Sequence, residues 1–163
     1  SLRPAFSKDG TVTAANASAI SDGAAALVLM RESEAKKRGL NPLAKIVSSS
    51  SHAHEPEYFT TAPVPAMKKA LEKAGWSVDD VELWEVNEAF AVVPMIAMKE
   101  MGISHDNQNV NGGAGAMGHP IGASGARLIV TLLAAMEDRG LKKGMASLCI
   151  GGGEGIAMAL ERY

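Results

Sequence analysis

The sequence predicts a layered α/β domain, and three observations predict it. Apolar runs of strand length alternate with helical segments along most of the chain. Glycines stand where the helical segments must stop, at Gly39, Gly75, Gly102 and Gly140. The core is built from small side chains. Of 163 residues, 47% are hydrophobic but only 4% are aromatic, and Ala, Val, Leu, Ile and nine Met must fill the interior. Small residues let sheets and helices approach closely, which suits stacked layers.

The elements follow in order. "SLRPAFSKDGTVTAANAS" (1–18) reads as an extended segment crossing from an earlier piece of structure. "AAALVLM" (24–30) is an unbroken apolar run and is expected to be a buried strand. "SEAKKRG" (33–39) is a short helix, with Ser33 as its cap, Glu34 in the first turn, basic residues in the last and Gly39 as its stop. "LAKIVSSSS" (43–51) is a strand. "PVPAMKKALEKAG" (63–75) is a helix with Pro65 in its first turn and Met67, Ala70, Leu71 and Ala74 along one face. "VELWEV" (81–86) is the next strand, and a helix starting near Glu88 is expected to kink at Pro94. Residues 105–123 are rich in Gly and Asn and form a structured loop. "SGARLIVTLLAAMEDRG" (124–140) carries the strongest helix signal. "MASLCI" and "IAMALER" close the chain as two strands joined through glycines. No internal repeat or low-complexity segment interrupts the series.

The bulk properties exclude several functions. A formal net charge of −2, with both signs scattered, argues against a nucleic-acid or anionic-membrane partner. One cysteine cannot form an internal disulfide, so a reducing compartment, cytoplasm or organelle matrix, is expected. No apolar stretch has the length of a membrane-spanning helix, and no signal peptide opens the chain.

Three polar places stand out. In "NEAFA" (87–91) a strand runs into a helix, where polar side chains commonly face a ligand crevice; Asn87 could equally cap the helix. In "NVNGGAGAMGHPIGASGA" (109–126), His119 is surrounded by Gly and Ala and followed by Pro120. It is either open to a ligand or a buried histidine bonded to a carbonyl. "GAGAMG" fits a dinucleotide fingerprint, but no parallel strand feeds it and no acidic residue follows at the required distance. In "SLCIGGGEG" (147–155), Cys149 precedes a glycine turn. Bare N–H groups there could stabilise an oxyanion. The thiol could also simply pack as a small hydrophobe.

Asn, His and Cys together suggest thiol chemistry. A cysteine hydrolase with a Cys-His-Asn set is one reading. The papain-type order is Cys, His, Asn; this chain has the reverse, and the sequence around Cys149 differs as well. A non-catalytic CoA-binding or assembly module is another reading.

"NEAFA", "NGGAGAMGHPIGASGAR" and "CIGGGEG", in this order and spacing, resemble the C-terminal half of the thiolase family, most of all its acetyl-CoA C-acetyltransferase branch. "TVTAANASAISDGAAALVLM" resembles the family's segment that leads into that half, and the resemblance covers essentially the whole chain. It implies a lobe with a mixed sheet and helices on both faces, half of a five-layered αβαβα fold. Residues 1–163 would be the C-terminal domain, with 1–22 leading into it and the nucleophile-bearing lobe absent. The reaction implied is Claisen condensation of two acyl-CoA molecules, or thiolysis of a 3-ketoacyl-CoA in reverse. A ketoacyl synthase is the nearest rival, and the second cysteine in "CIGGG" speaks for a thiolase.

The resemblance also implies roles. Cys149 matches the cysteine that moves a proton at the α-carbon of the incoming acetyl group, not the acyl carrier. A thiol near 8.5 would need a modest lowering by nearby dipoles for this task. His119 matches an oxyanion donor that also activates the nucleophilic thiol. Asn87 matches the residue that holds a water as second donor. The Gly151 N–H matches a donor to the acyl-enzyme oxygen. Ser18, Phe59, Ala89 and Phe90 match positions lining the pantetheine channel. Phe59, where many bacterial members carry Met, points to the mitochondrial-type branch. Some members of that branch use potassium, with carbonyls matched here by Ala14, Ala15 and Ala17. Otherwise no metal or cofactor is implied, CoA being a substrate. The expected partners are acyl-CoA, CoA, the missing lobe and further copies in a homodimer or homotetramer.

Overall fold

Four strands form one mixed sheet in the order β1-β4-β3-β2 in the computed structural model, which describes residues 2–163. β1 (Ala44–Ala53) pairs antiparallel with β4 (Glu154–Arg162), and β4 pairs antiparallel with β3 (Lys143–Ile150). β2 (Leu83–Val86) runs parallel to β3, with Val86 opposite Ser147. The glycines between β3 and β4 make the expected hairpin. Gly153 is the one the turn requires: its φ is +97°, and a Cβ there would collide with the His54 carbonyl oxygen.

Each face of the sheet is covered by helices. α2 (Pro63–Ala74) and α3 (Val92–Met101) cover one face, where Met67, Ala70, Leu71, Val93 and Ala97 share a core with Met145, Cys149, Ala157 and Ala159. α5 (Ser124–Asp138) covers the other, where Leu128, Leu132 and Met136 pack with Leu83, Ala146 and Leu160. Adjacent residues Met145 and Ala146 belong to opposite faces, as the two-residue period of a strand demands. The layers meet closely at Gly144, where an added Cβ would lie 2.5 Å from the Met136 sulfur.

Three expectations fail. Residues 24–30 form no strand and stay largely exposed, because no strand among the described residues pairs with them. Ser33 does not cap α1 (Glu32–Lys37); Arg31 is the capping position, and no side chain bonds to the helix start. Glu32 and Glu34 in the first turn, and Lys36 and Lys37 in the last, complement the dipole instead. α3 begins at Val92, not near Glu88, so Pro94 falls in its first turn. The N–H it lacks has no intrahelical partner there, and no kink follows. The loop at 105–123 is structured, as expected, and holds a 3-10 turn (His105–Asn107) and the short helix α4 (Ala114–Met117).

Candidate active site

The C-terminal edge of the parallel pair β2–β3 gathers the polar groups. Asn87 follows the last residue of β2 and donates its N–H to the Ser147 carbonyl at 2.9 Å. Cys149 lies two residues further along β3, so the register brings it to the same edge. Asn109 holds this edge in place. Its side chain accepts from the Val86 N–H at 2.9 Å and donates to the Val86 carbonyl at 2.8 Å. Its φ of +50° is the one positive value outside glycine among the described residues. Glu88 then ties the glycine loop to the same place. Its carboxylate accepts from the Gly115 N–H at 2.8 Å and from Asn109 Nδ2 at 3.1 Å. A Cβ on Gly113 would crowd that carboxylate.

This arrangement delivers His119 to Asn87. Asn87 Nδ2 lies 3.2 Å from His119 Nε2, and His119 Nδ1 lies 2.6 Å from Ser124 Oγ at the start of α5. The Ser124 hydroxyl also lies 3.0 Å from the Pro120 carbonyl and can donate there while accepting from Nδ1–H. In that tautomer Nε2 carries the lone pair and accepts from the Asn87 amide. Arg127, three residues after Ser124 on the same helix, fixes that amide from the other end. Its Nη2 donates to Asn87 Oδ1 at 3.3 Å, and its Nη1 meets Glu85 Oε2 at 3.4 Å. Neither capping by Asn87 nor a backbone-bonded His119 describes these partners. No hydrogen bond joins His119 to Cys149, the contact a Cys-His hydrolase pair needs.

The electrostatics follow from burial. Glu85 is 1% exposed, and desolvation pushes its carboxyl up to about 7 despite the opposing pull of Arg127. Burial lowers the His119 pKa, and the Arg127 charge lowers it further, so the ring is neutral near pH 7. Cys149 is 6% exposed, and burial raises its thiol above the ordinary range. The lowering by dipoles that a thiolate base would need is not seen here: desolvation outweighs the backbone hydrogen bond that opposes it.

The other expected site residues have the following surroundings. Ser18 donates both its N–H (3.1 Å) and its Oγ–H (2.9 Å) to the Ala89 carbonyl. Phe90 meets Phe59 edge to face with centroids 6.0 Å apart, and Phe6 does the same from the leading segment. Ala17 bridges Phe90 and Ile20 bridges His119, so that segment runs along the site. Ala14 and Ala15 lie in an exposed turn. Gly151 lies in the exposed hairpin turn, and a Cβ there meets nothing within 4 Å, so the chain itself does not demand glycine at that position. Among the described residues, no group of three His, Cys, Asp or Glu side chains could hold a metal ion, and no helix is long and apolar enough to cross a membrane.

Residue-level reading missed Glu85, Ser124 and Arg127. The signal for Glu85 was a charge inside "LWEV", a strand whose four residues are all buried; such a charge needs a partner. Ser124 and Arg127 stand three apart in a helix and so share a face.

Comparison with known proteins gives a consistent result. The family model described as "Thiolase, C-terminal domain" matches residues 40–162, and that described as "Thiolase, N-terminal domain" matches 1–33. An acetyl-CoA acetyltransferase of Rhizobium meliloti (strain 1021) is 59% identical over 161 residues, covering 99% of this chain and 41% of the relative. A cytosolic acetyl-CoA acetyltransferase of Mus musculus is 53% identical over 163 residues, again covering 99% and 41%. The crystal structure of the Bacillus anthracis acetyl-CoA acetyltransferase superposes with a TM-score of 0.96 at 49% identity, covering 99% of this chain and 41% of that one. That of human mitochondrial 3-ketoacyl-CoA thiolase in complex with CoA gives 0.92 at 43%, with the same coverage. The chain thus spans about two fifths of the length of these relatives.

Proposed function

From the premise that the chain belongs to the thiolase family, we propose that residues 40–162 supply the C-terminal catalytic domain of an acetyl-CoA C-acetyltransferase and residues 1–33 a segment of its N-terminal domain. The complete enzyme joins two acetyl-CoA into acetoacetyl-CoA and CoA, or cleaves a 3-ketoacyl-CoA in reverse. One observation carries this reading: a neutral His119 with its Nε2 lone pair on Asn87, at the sheet edge that also holds Cys149.

The proton states fit the reaction. The acyl-carrying cysteine comes from the N-terminal domain and gives its proton to His119 Nε2. The imidazolium so formed donates from Nε2 to the thioester oxygen. Asn87 supplies the second donor through a water. The departing CoA thiolate takes the Cys149 proton, and a thiol raised by burial is in the correct state to give it. Cys149, now a thiolate, removes the α-proton of the second acetyl-CoA. The resulting enolate attacks the acyl group, with the Gly151 N–H at the acyl oxygen. The freed nucleophile recovers its proton from His119.

Ser18, Phe59, Ala89 and Phe90 line the pantetheine arm, and their mutual contacts support this. The exposed residues 20–30 pair with the N-terminal domain, in keeping with the match of 1–33 to that domain's family model. The enzyme is a homo-oligomer in a thiol-reducing compartment.

The test uses a chimaera in which this chain replaces the matching 41% of the Rhizobium meliloti relative. The chimaera should cleave acetoacetyl-CoA with CoA, and the 163-residue chain alone should not. In the chimaera, Cys149→Ala should still become acetylated on the other cysteine, read by mass spectrometry. Its condensation rate should fall about 10²–10⁴-fold, the usual loss for a general base. Turnover by the chain alone, or full condensation by the variant, would overturn the assignment.

A further inference from the structure

We infer that Arg127 is a positioning residue that sets the orientation of the Asn87 amide and, through it, the tautomer of His119. The inference rests on the proposed roles of Asn87 and His119 for its importance to catalysis, but not for its geometry.

An Asn amide has two nearly isosteric ends. If Oδ1 faced His119, Nε2 would have to carry the proton, and the ring could not accept one from a thiol there. Something must therefore distinguish the two ends. Within the described residues, Arg127 Nη2 is the group bonded to Asn87 Oδ1, and a guanidinium can only donate. It holds Oδ1 away from His119 and leaves Nδ2 at 3.2 Å from Nε2. On the far side of the ring, Ser124 Oγ lies 2.6 Å from Nδ1 and 3.0 Å from the Pro120 carbonyl, a hydroxyl that can serve either tautomer, so the choice falls to the Asn87 amide. One helix face therefore grips both ends of the Asn87–His119 pair through two residues three apart.

The arrangement is unfavourable for stability alone. Glu85 is almost wholly buried, and its Oε1 has no hydrogen-bond partner; neither has Arg127 Nε. The single contact between the two side chains is 3.4 Å long, far from a bidentate pair. A hydrophobic pair of similar volume is often neutral or more stable than a buried ion pair. What a hydrophobe cannot do is donate to Asn87 Oδ1. Glu85 Oε2 is explained as the acceptor that receives the guanidinium there.

Nitrogen-15 NMR of the imidazoles in the 163-residue chain tests this without any turnover, so it stands or falls separately from the thiolase assignment. In the wild type above the His119 pKa, Nδ1 should show the shift of a protonated nitrogen and Nε2 that of an unprotonated one. An Nε2–H tautomer in the wild type overturns the inference before any variant is made. Arg127→Lys keeps the charge but cannot reach Glu85 and Asn87 together. Arg127→Met with Glu85→Gln removes both charges and avoids a lone buried carboxylate. In whichever of these folds, by circular dichroism, the two His119 nitrogen shifts should move towards each other as both tautomers populate, and the Asn87 side-chain amide signals should shift. Wild-type shifts in a folded variant would show that Arg127 merely packs there. If neither variant folds, the wild-type tautomer alone decides.

Discussion

Residues 24–30 and the strand β3 are both apolar runs of similar length, yet they end up in opposite states. The first, "AAALVLM", has no fully buried residue, and Val28 is 88% exposed. The second lies between β4 and β2, and five of its eight residues, Gly144 to Ser147 and Cys149, are buried. Composition does not separate them. Partners do: a strand's N–H and C=O groups are satisfied by a neighbouring chain, and its side chains are buried by a layer on each face. β3 has both within these residues. Residues 24–30 have neither, and the proposed function gives them both in the N-terminal domain.

The largest effect should come from breaking the buried side. Leu132→Ala removes a side chain with no exposure between α5 and the sheet, and should cost about 2–5 kcal/mol in urea denaturation. A cost below about 1 kcal/mol would mean that this layer is not packed as described.

Glu85 in β2 sharpens the comparison, because burial there is imposed on a charge. Its folded pKa, about 7, lies above the ordinary value of 4.5, so the folded state binds more protons between these pH values. Stability from this group is therefore fully present below about pH 4.5 and lost as pH rises through about 7, by roughly 3 kcal/mol in all. His119 slopes the other way below its ordinary value, so the wild type should be compared with Glu85→Gln. Their difference in unfolding free energy should change across this window. A constant difference would show that Glu85 titrates normally.

Phe59 stands between the two regions, half-buried against Phe90. In the chimaera, Phe59→Met should change the ratio of kcat/KM between acetoacetyl-CoA and its 2-methyl analogue by about 1–3 kcal/mol. An unchanged ratio would place Phe59 away from the substrate.

The smallest effect belongs to the exposed run. In the 163-residue chain, Val28→Asp should change stability by no more than about 0.5 kcal/mol. In the chimaera the same change should lower Tm by several degrees, because the proposed pairing would bury the carboxylate. Equal effects in both would refute that pairing.

The sequence by itself determined the elements whose signals are local. The helix α2, with Pro65 in its first turn and Gly75 at φ +68°, and the hairpin at Gly153 are decided within a few residues. Ordered motifs likewise matched Asn87, His119 and Cys149 to one family site, and the fold joins Asn87 to His119. Local signals failed where a choice depended on distant groups. Ser33 and Asn87 are both good caps by residue type, but α1 starts one residue earlier and Asn87 is held by His119 and Arg127, 32 and 40 residues away. The base role matched to Cys149 would need its thiol lowered, and burial by α2 and α3 shifts it up. Proton affinity, amide orientation and strand pairing all depend on what surrounds a group, and only the tertiary structure supplies those surroundings.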